Sequence, residues 1–267
     1  MLSPAGFVSA YAQIGAKKCT NSAARLFLAA VLAGFFIAAG AVAASTASCG
    51  LDNASVARVV SGLLFPFGLI MVILTGAELF TGNCLIAVSL LEGAASWTGM
   101  VRNLILVYLG NFVGAAALAG AMAYSGALSS GALAAYTIRA AAGKCVLPFG
   151  QAVVLGILCN ILVCAGAMCS LCGQTVTGRA AGAFVPVCFF IIGGFEHCVA
   201  NMYYIPAGIL AAGLPGGGEL AQAAGADLSA LGLAGLLRNL IPVTIGNLIG
   251  GCGFGALIWA VHRPAEG

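Results

Sequence analysis

The sequence predicts an all-α integral membrane protein of six transmembrane helices, arranged as two inverted three-helix repeats with helices 2 and 5 interrupted. Three observations predict it. Hydrophobic residues make up 62% of the 267-residue chain and charged residues 6%, against roughly 45–50% and 25% in soluble domains. Apolar runs long enough to cross a bilayer recur along the chain. Two polar motifs occur twice, in the same order.

The composition also excludes other classes. Ten basic and seven acidic side chains are too few to cover a soluble domain of this size. Disorder requires polarity and charge that this chain lacks. The 39 glycines show no G-x-y period, so a collagen-like chain is excluded. The net charge of +3 is spread singly, and no basic cluster points to nucleic acid. Most of the 11 cysteines lie within apolar runs, among them Cys84, Cys159, Cys164, Cys188, Cys198 and Cys252, where a thiol behaves as a small hydrophobe. Cys169-x-x-Cys172 is the one CxxC. With no second pair and no neighbouring His it is a weak motif for metal or redox chemistry, and no metal or cofactor is expected.

Residues 1–24 read as an amphipathic segment at the membrane surface. Apolar spans follow at 25–48, 59–91, 101–125, 147–170, 180–213 and 239–261. Residues 25–125 form the first repeat, 126–146 an external linker and 147–263 the second repeat. The stretch 214–238, with Gly216-Gly217-Gly218, Glu219 and Asp227, reads as a solvated loop. Six crossings put both termini on one side. Lys17, Lys18, Arg25, Arg102, Arg179 and Arg263 share that side, against Arg58, Arg139, Lys144 and Arg238. The excess places both termini in the cytoplasm, in a multi-pass protein of the cytoplasmic membrane.

The duplication rests on two motifs. Gly76-x-Glu78-x4-Asn83 recurs as Gly194-x-Glu196-x4-Asn201, 118 positions further on. Arg102-Asn103-Leu104-x5-Gly110-Asn111-x2-Gly114 recurs as Arg238-Asn239-Leu240-x5-Gly246-Asn247-x2-Gly250, 136 positions further on. An odd number of helices per repeat inverts the second copy. Such repeats typify transporters and channels, with the solute path at the repeat interface.

The second and fifth spans are too long for one crossing, and each holds glycines and a carboxyl at membrane depth. A charge at the centre of a lipid-facing helix costs about 2.5–3.5 kcal/mol on insertion scales. Irregular backbone survives at that depth only inside protein or along a cavity. Both segments therefore read as broken helices meeting near the midplane, where half-helix N-termini favour an anion. Glu78 and Glu196 occur in both copies, which favours broken-helix support over a cation or proton path. His197 has Leu79 as its counterpart, so the repeat does not require it. It sits in the break and could exchange a proton with a passing solute. Thr81 either bonds His197 or the solute, or caps the following half-helix. Lys144 either snorkels or steers anions. Asn160 and Asn247 need hydrogen-bond partners within the spans. Phe65, Leu69, Leu79, Phe80 and Phe190 lie near the breaks and could form hydrophobic constrictions.

Four stretches together resemble the formate/nitrite transporter family: Gly76-Ala77-Glu78-Leu79-Phe80-Thr81-Gly82-Asn83, Gly194-Phe195-Glu196-His197-Cys198-Val199-Ala200-Asn201-Met202, Asn160-Ile161-Leu162-Val163-Cys164 and Gly246-Asn247-Leu248-Ile249-Gly250-Gly251. The resemblance covers about residues 20–262. It implies an aquaporin-like protomer, one pore per protomer, a homopentamer, and passage of small weak-acid anions such as formate, nitrite or hydrosulfide. It further implies Thr81 and His197 as the central polar pair, and Leu69 and Leu79 as the cytoplasmic constriction. Phe65 and Phe190 would form the periplasmic one. Lys144 would draw anions into the outer vestibule, and Asn160, Val163 and Asn247 would line or adjoin the pore. Cys198 stands where some members have Ser.

The expected function is an anion path in which His197 protonates the solute, so that a neutral acid rather than a bare charge passes the apolar ring. A pore for neutral solutes is the alternative, although neither break carries the Asn-Pro-Ala motif of aquaporins. A thiol oxidoreductase built on Cys169 and Cys172 lacks any cofactor motif, and no enzyme is expected.

Overall fold

The computed structural model describes residues 2–263. Helix α1 (Pro4–Thr20) starts at Ser3, whose hydroxyl accepts from the Gly6 N–H. One face is buried, with Phe7, Val8 and Tyr11 inward, while Ser9, Gln13 and Lys17 are exposed. Ser22 caps α2 (Ala23–Ser48), and Asn53 caps α3 (Ala54–Leu64) through the Ser55 and Val56 N–H groups. Pro66 opens α4 (Phe67–Thr75). The first break then leads to the short α5 (Phe80–Asn83) and α6 (Ile86–Leu91). Ser96 caps α7 (Trp97–Tyr124).

The expected external linker is helical: α8 (Gly131–Cys145) packs along the helix that follows the second break. Helix α9 (Phe149–Cys172) starts after Pro148, and Thr175 caps α10 (Val176–Ile192). The second break leads into α11 (Cys198–Gly213). The stretch read as a loop holds α12 (Gly217–Ala223), bent 114° from α11. The last helix, α13 (Leu233–His262), begins six residues before the expected span. A few local bonds sufficed to order this polar stretch, including the Ala224 N–H to the Leu220 carbonyl.

Among the described residues, five segments are each long and apolar enough to cross a bilayer: α2, α3 with α4, α7, α9 and α13. Helices α10 and α11 lie either side of the second break. Large apolar side chains face outward, Leu28 at 68% and Leu257 at 63% exposure, as lipid contact requires.

Small residues let helix backbones approach, the usual device where lipid removes the hydrophobic drive for helix association. Helix α2 lies against α7, where a Cβ on Gly34 would strike the Asn111 carbonyl and one on Gly114 the Val31 carbonyl. Helix α9 lies against α13 in the same manner, with Gly246 on the Val153 carbonyl and Gly250 on the Ile157 carbonyl. These close pairs hold the two breaks between them.

Candidate functional site

Both breaks are built by the same chemistry. Each first half-helix ends at a glycine with positive φ, Gly76 at 70° and Gly194 at 71°, a conformation glycine adopts without strain. The following N–H reaches back five residues: Ala77 to the Val72 carbonyl at 3.0 Å, Phe195 to the Phe190 carbonyl at 3.0 Å. This ends the helix and turns the chain inward.

An asparagine then fixes each second half-helix. Asn111 Oδ1 accepts from the Phe80 N–H at 2.9 Å, while its Nδ2 donates to the Ala30 and Glu78 carbonyls at 2.7 and 2.9 Å. Asn247 Oδ1 accepts from the Cys198 N–H at 2.9 Å, and its Nδ2 donates to the Gly156 and Glu196 carbonyls at 2.8 and 3.0 Å. The first N–H of each half-helix is thereby occupied by an amide oxygen. Irregular backbone at membrane depth leaves polar groups that must be paired, and one side chain supplies three of the bonds.

The carboxyls are held likewise. Lys18 Nζ lies 2.6 Å from Glu78 Oε2, which also accepts from Asn83 Nδ2 at 2.7 Å, and Asn83 donates to Asn103 Oδ1 at 2.8 Å. Lys144 Nζ lies 2.7 Å from Glu196 Oε1. Asn201 Nδ2 donates to Glu196 Oε2 at 2.6 Å and to Asn239 Oδ1 at 2.7 Å. The sets differ in detail: Lys18 shares Glu78 Oε2 with Asn83 and also reaches Asn83 Oδ1 at 2.9 Å, whereas Lys144 takes the other oxygen of Glu196 and Asn201 Oδ1 has no partner among the described residues.

Between the breaks lies the polar pair expected from sequence. Thr81 Oγ1 is 2.9 Å from His197 Nε2. His197 is the N-cap of α11, and its Nδ1 accepts from the Ala200 N–H at 3.1 Å. With Nδ1 an acceptor, the neutral ring carries its hydrogen on Nε2 and donates to Thr81. Cys164 Sγ and Asn160 Nδ2 hold the Thr81 carbonyl, at 3.5 and 3.2 Å.

Two vestibules approach this pair from opposite sides. One, about 530 Å³, is lined by Arg58, Arg139, Lys144, Phe190, Glu196 and His197 among others. The other, about 410 Å³, is lined by Lys17, Lys18, Arg25, Leu69, Leu79 and Arg179 among others. Phe190 stacks on His197 at 5.9 Å and meets Phe65 edge-on at 5.8 Å. Apolar side chains therefore stand either side of the polar pair.

Some expected residues sit elsewhere. Phe80 is turned away from both vestibules, its ring on Tyr108 at 4.9 Å in an apolar recess between α7 and α13. The backbone is extended at Leu79, so neighbouring side chains diverge. Asn160 and Asn247 spend their amides on backbone carbonyls, and Val163 is buried in the core. None of the three lines either vestibule. Lys18, Asn83, Asn103, Asn111, Asn201 and Asn239 were not singled out as site residues. The repeated motifs contained all five asparagines. Lys18 lies outside both motifs, and its spacing to Lys144 matches neither offset.

Helices with lipid-facing surfaces, broken twice around a buried Thr–His pair between opposed vestibules, define a membrane pore protein. The chain matches the formate/nitrite transporter family profile over residues 5–261, and it belongs to that family. It is 39% identical over 234 residues to the formate channel FocA of Haemophilus influenzae, covering 84% of this chain and 82% of that one. It is 35% identical over 258 residues to FocA of Escherichia coli K12, covering 94% and 90%. A solved pentameric formate channel with formate bound superposes with a TM-score of 0.79 at 32% identity, covering 90% and 97%. A solved FNT family ion channel superposes at 0.83 with 26% identity, covering 98% and 99%.

Proposed function

We propose that the protein is a homopentameric channel of the cytoplasmic membrane with both termini in the cytoplasm. Each protomer passes small monovalent weak-acid anions, formate first, with nitrite and hydrosulfide as further candidates. The Thr81–His197 pair between two cationic vestibules carries this reading. The relatives' description as formate channels supports the choice of formate.

An anion enters a vestibule lined by basic groups and meets an apolar collar, Leu69 with Leu79 on one side or Phe65 with Phe190 on the other. Moving a bare charge through an apolar constriction strips its water at high cost. The proposed role of His197 is to lower that cost by giving the anion a proton at the centre. In the resting arrangement Nε2–H points to Thr81, whose hydroxyl can turn its own hydrogen toward the solute. Passing the Nε2 proton requires another at Nδ1, which must displace the Ala200 N–H. Proton delivery is therefore coupled to loosening of the α11 N-cap. Lys144 holds Glu196 and offers its remaining hydrogens to an arriving anion.

Formate uptake by proteoliposomes tests the reading. His197→Ala should abolish uptake or flatten its pH dependence. Unchanged flux and unchanged pH dependence would remove His197 from the mechanism.

A further inference from the structure

The two vestibules differ in charge balance. In the Lys144 vestibule, the lining cations Arg58, Arg139 and Lys144 face the carboxylates Asp52 and Glu196, leaving one net positive charge. In the α1 vestibule, Lys17, Lys18, Arg25 and Arg179 face only Glu78, leaving three. Lys144 is itself neutralised by Glu196 at 2.7 Å and Lys18 by Glu78 at 2.6 Å. The uncompensated charge at the α1 side therefore sits on Lys17, Arg25 and Arg179. None of these three has an ion-pair partner among the described residues.

Given the anion-pore reading, on which this rests, we propose that Lys17, Arg25 and Arg179 form the anion-collecting ring of the pore, so that conduction is asymmetric. The α1 mouth gathers anions and supplies them to the Leu69–Leu79 collar more readily than the Lys144 mouth supplies the Phe65–Phe190 collar. Guanidinium groups suit this role because they stay charged and present paired donors to a carboxylate. The three side chains are exposed, so they act through a water-like dielectric. There, one unscreened charge about 10 Å from an anion raises its local concentration about twofold. Such fields focus within a cleft and fade with salt, since the Debye length falls from about 10 Å at 0.1 M to about 3 Å at 1 M.

The test is current through the full-length protein in planar bilayers with formate equal on both sides, insertion direction being reported by an amino-terminal epitope. At low ionic strength, current with anions entering from the α1 mouth should exceed the reverse current by about fourfold, about twofold for each of the two charges by which the mouths differ. Added salt of a large impermeant anion should abolish the difference. R25Q/R179Q should conduct with equal currents, and R58Q/R139Q should rectify more steeply. Equal currents in the wild-type protein at low salt, or rectification surviving in R25Q/R179Q, would overturn the proposal while leaving the channel reading intact. A bilayer with no formate current at all would overturn the channel reading and this inference with it.

Discussion

Thr81 Oγ1 and His197 Nε2 lie 2.9 Å apart, although 116 residues separate them in the chain. Each belongs to a different break, and each break is fixed by its own asparagine and its own lysine–glutamate pair. The distance between the two polar atoms is thus set by two hydrogen-bond scaffolds rather than by local sequence.

The Thr81 hydroxyl should be needed for flux. Thr81→Val keeps the shape, removes the hydroxyl and strands the buried Nε2–H. An unsatisfied buried donor costs about 1–3 kcal/mol, and about 1.4 kcal/mol is tenfold in rate. Formate uptake in proteoliposomes should fall by about five- to 150-fold, while Thr81→Ser should retain most of it. Equal rates for Thr81→Val and wild type would sink the pairing.

Asn111 should matter more for stability than for selectivity. Asn111→Ala leaves the Phe80 N–H and the Ala30 and Glu78 carbonyls without this partner. Each abandoned buried group costs about 1–3 kcal/mol. Thermal unfolding in detergent should show a large fall in Tm, and Asn247→Ala should match it. An unchanged midpoint would contradict the scaffold role.

The ion pairs should show coupling. Lys18→Met leaves Glu78 with Asn83 as its remaining side-chain partner. The loss should stay below the ~3–5 kcal/mol of a fully buried pair, because the Lys18 side chain keeps 19% exposure. The double variant Lys18→Met with Glu78→Gln should recover much of it. A thermal double-mutant cycle reads the coupling directly. Additive losses would show the two charges to be independent.

Glycines should divide by what stands opposite them. Gly34→Ala places a methyl on the Asn111 backbone, where neither helix can give way, and should lower Tm sharply. Gly120→Ala meets nothing within 4 Å and should be neutral or gain up to about 1 kcal/mol from helix propensity. Equal midpoints for both variants would refute close packing of α2 on α7.

Phenylalanines should divide too. Phe190→Ala removes the ring stacked on His197 and should admit larger anions, read as acetate flux beside formate flux. Phe80→Leu removes the ring contact with Tyr108 on the far side from the vestibules. It should cost about 0.5–1.5 kcal/mol of stability, the worth of an aromatic pair, without changing the flux ratio. A shifted ratio in Phe80→Leu would return that residue to the path.

The sequence by itself determined the class, the spans, the duplicated motifs and the two breaks. Apolar length and glycine–carboxyl interruptions are local properties that a bilayer reads directly. It also singled out His197, because a residue present in one copy of a repeat stands out against the other. Tertiary structure alone decided which way side chains face. Phe80 and Thr81 are neighbours, yet one lies against Tyr108 and the other against His197, because the chain enters α5 from extended backbone at Leu79. Tertiary structure alone also decided that Asn111 and Asn247 brace the breaks and that Lys18 and Lys144 pair with the repeated glutamates. Those partners lie tens of residues away, and a buried polar group takes whichever donor the packing brings within 3 Å. Local sequence carries no record of that distance.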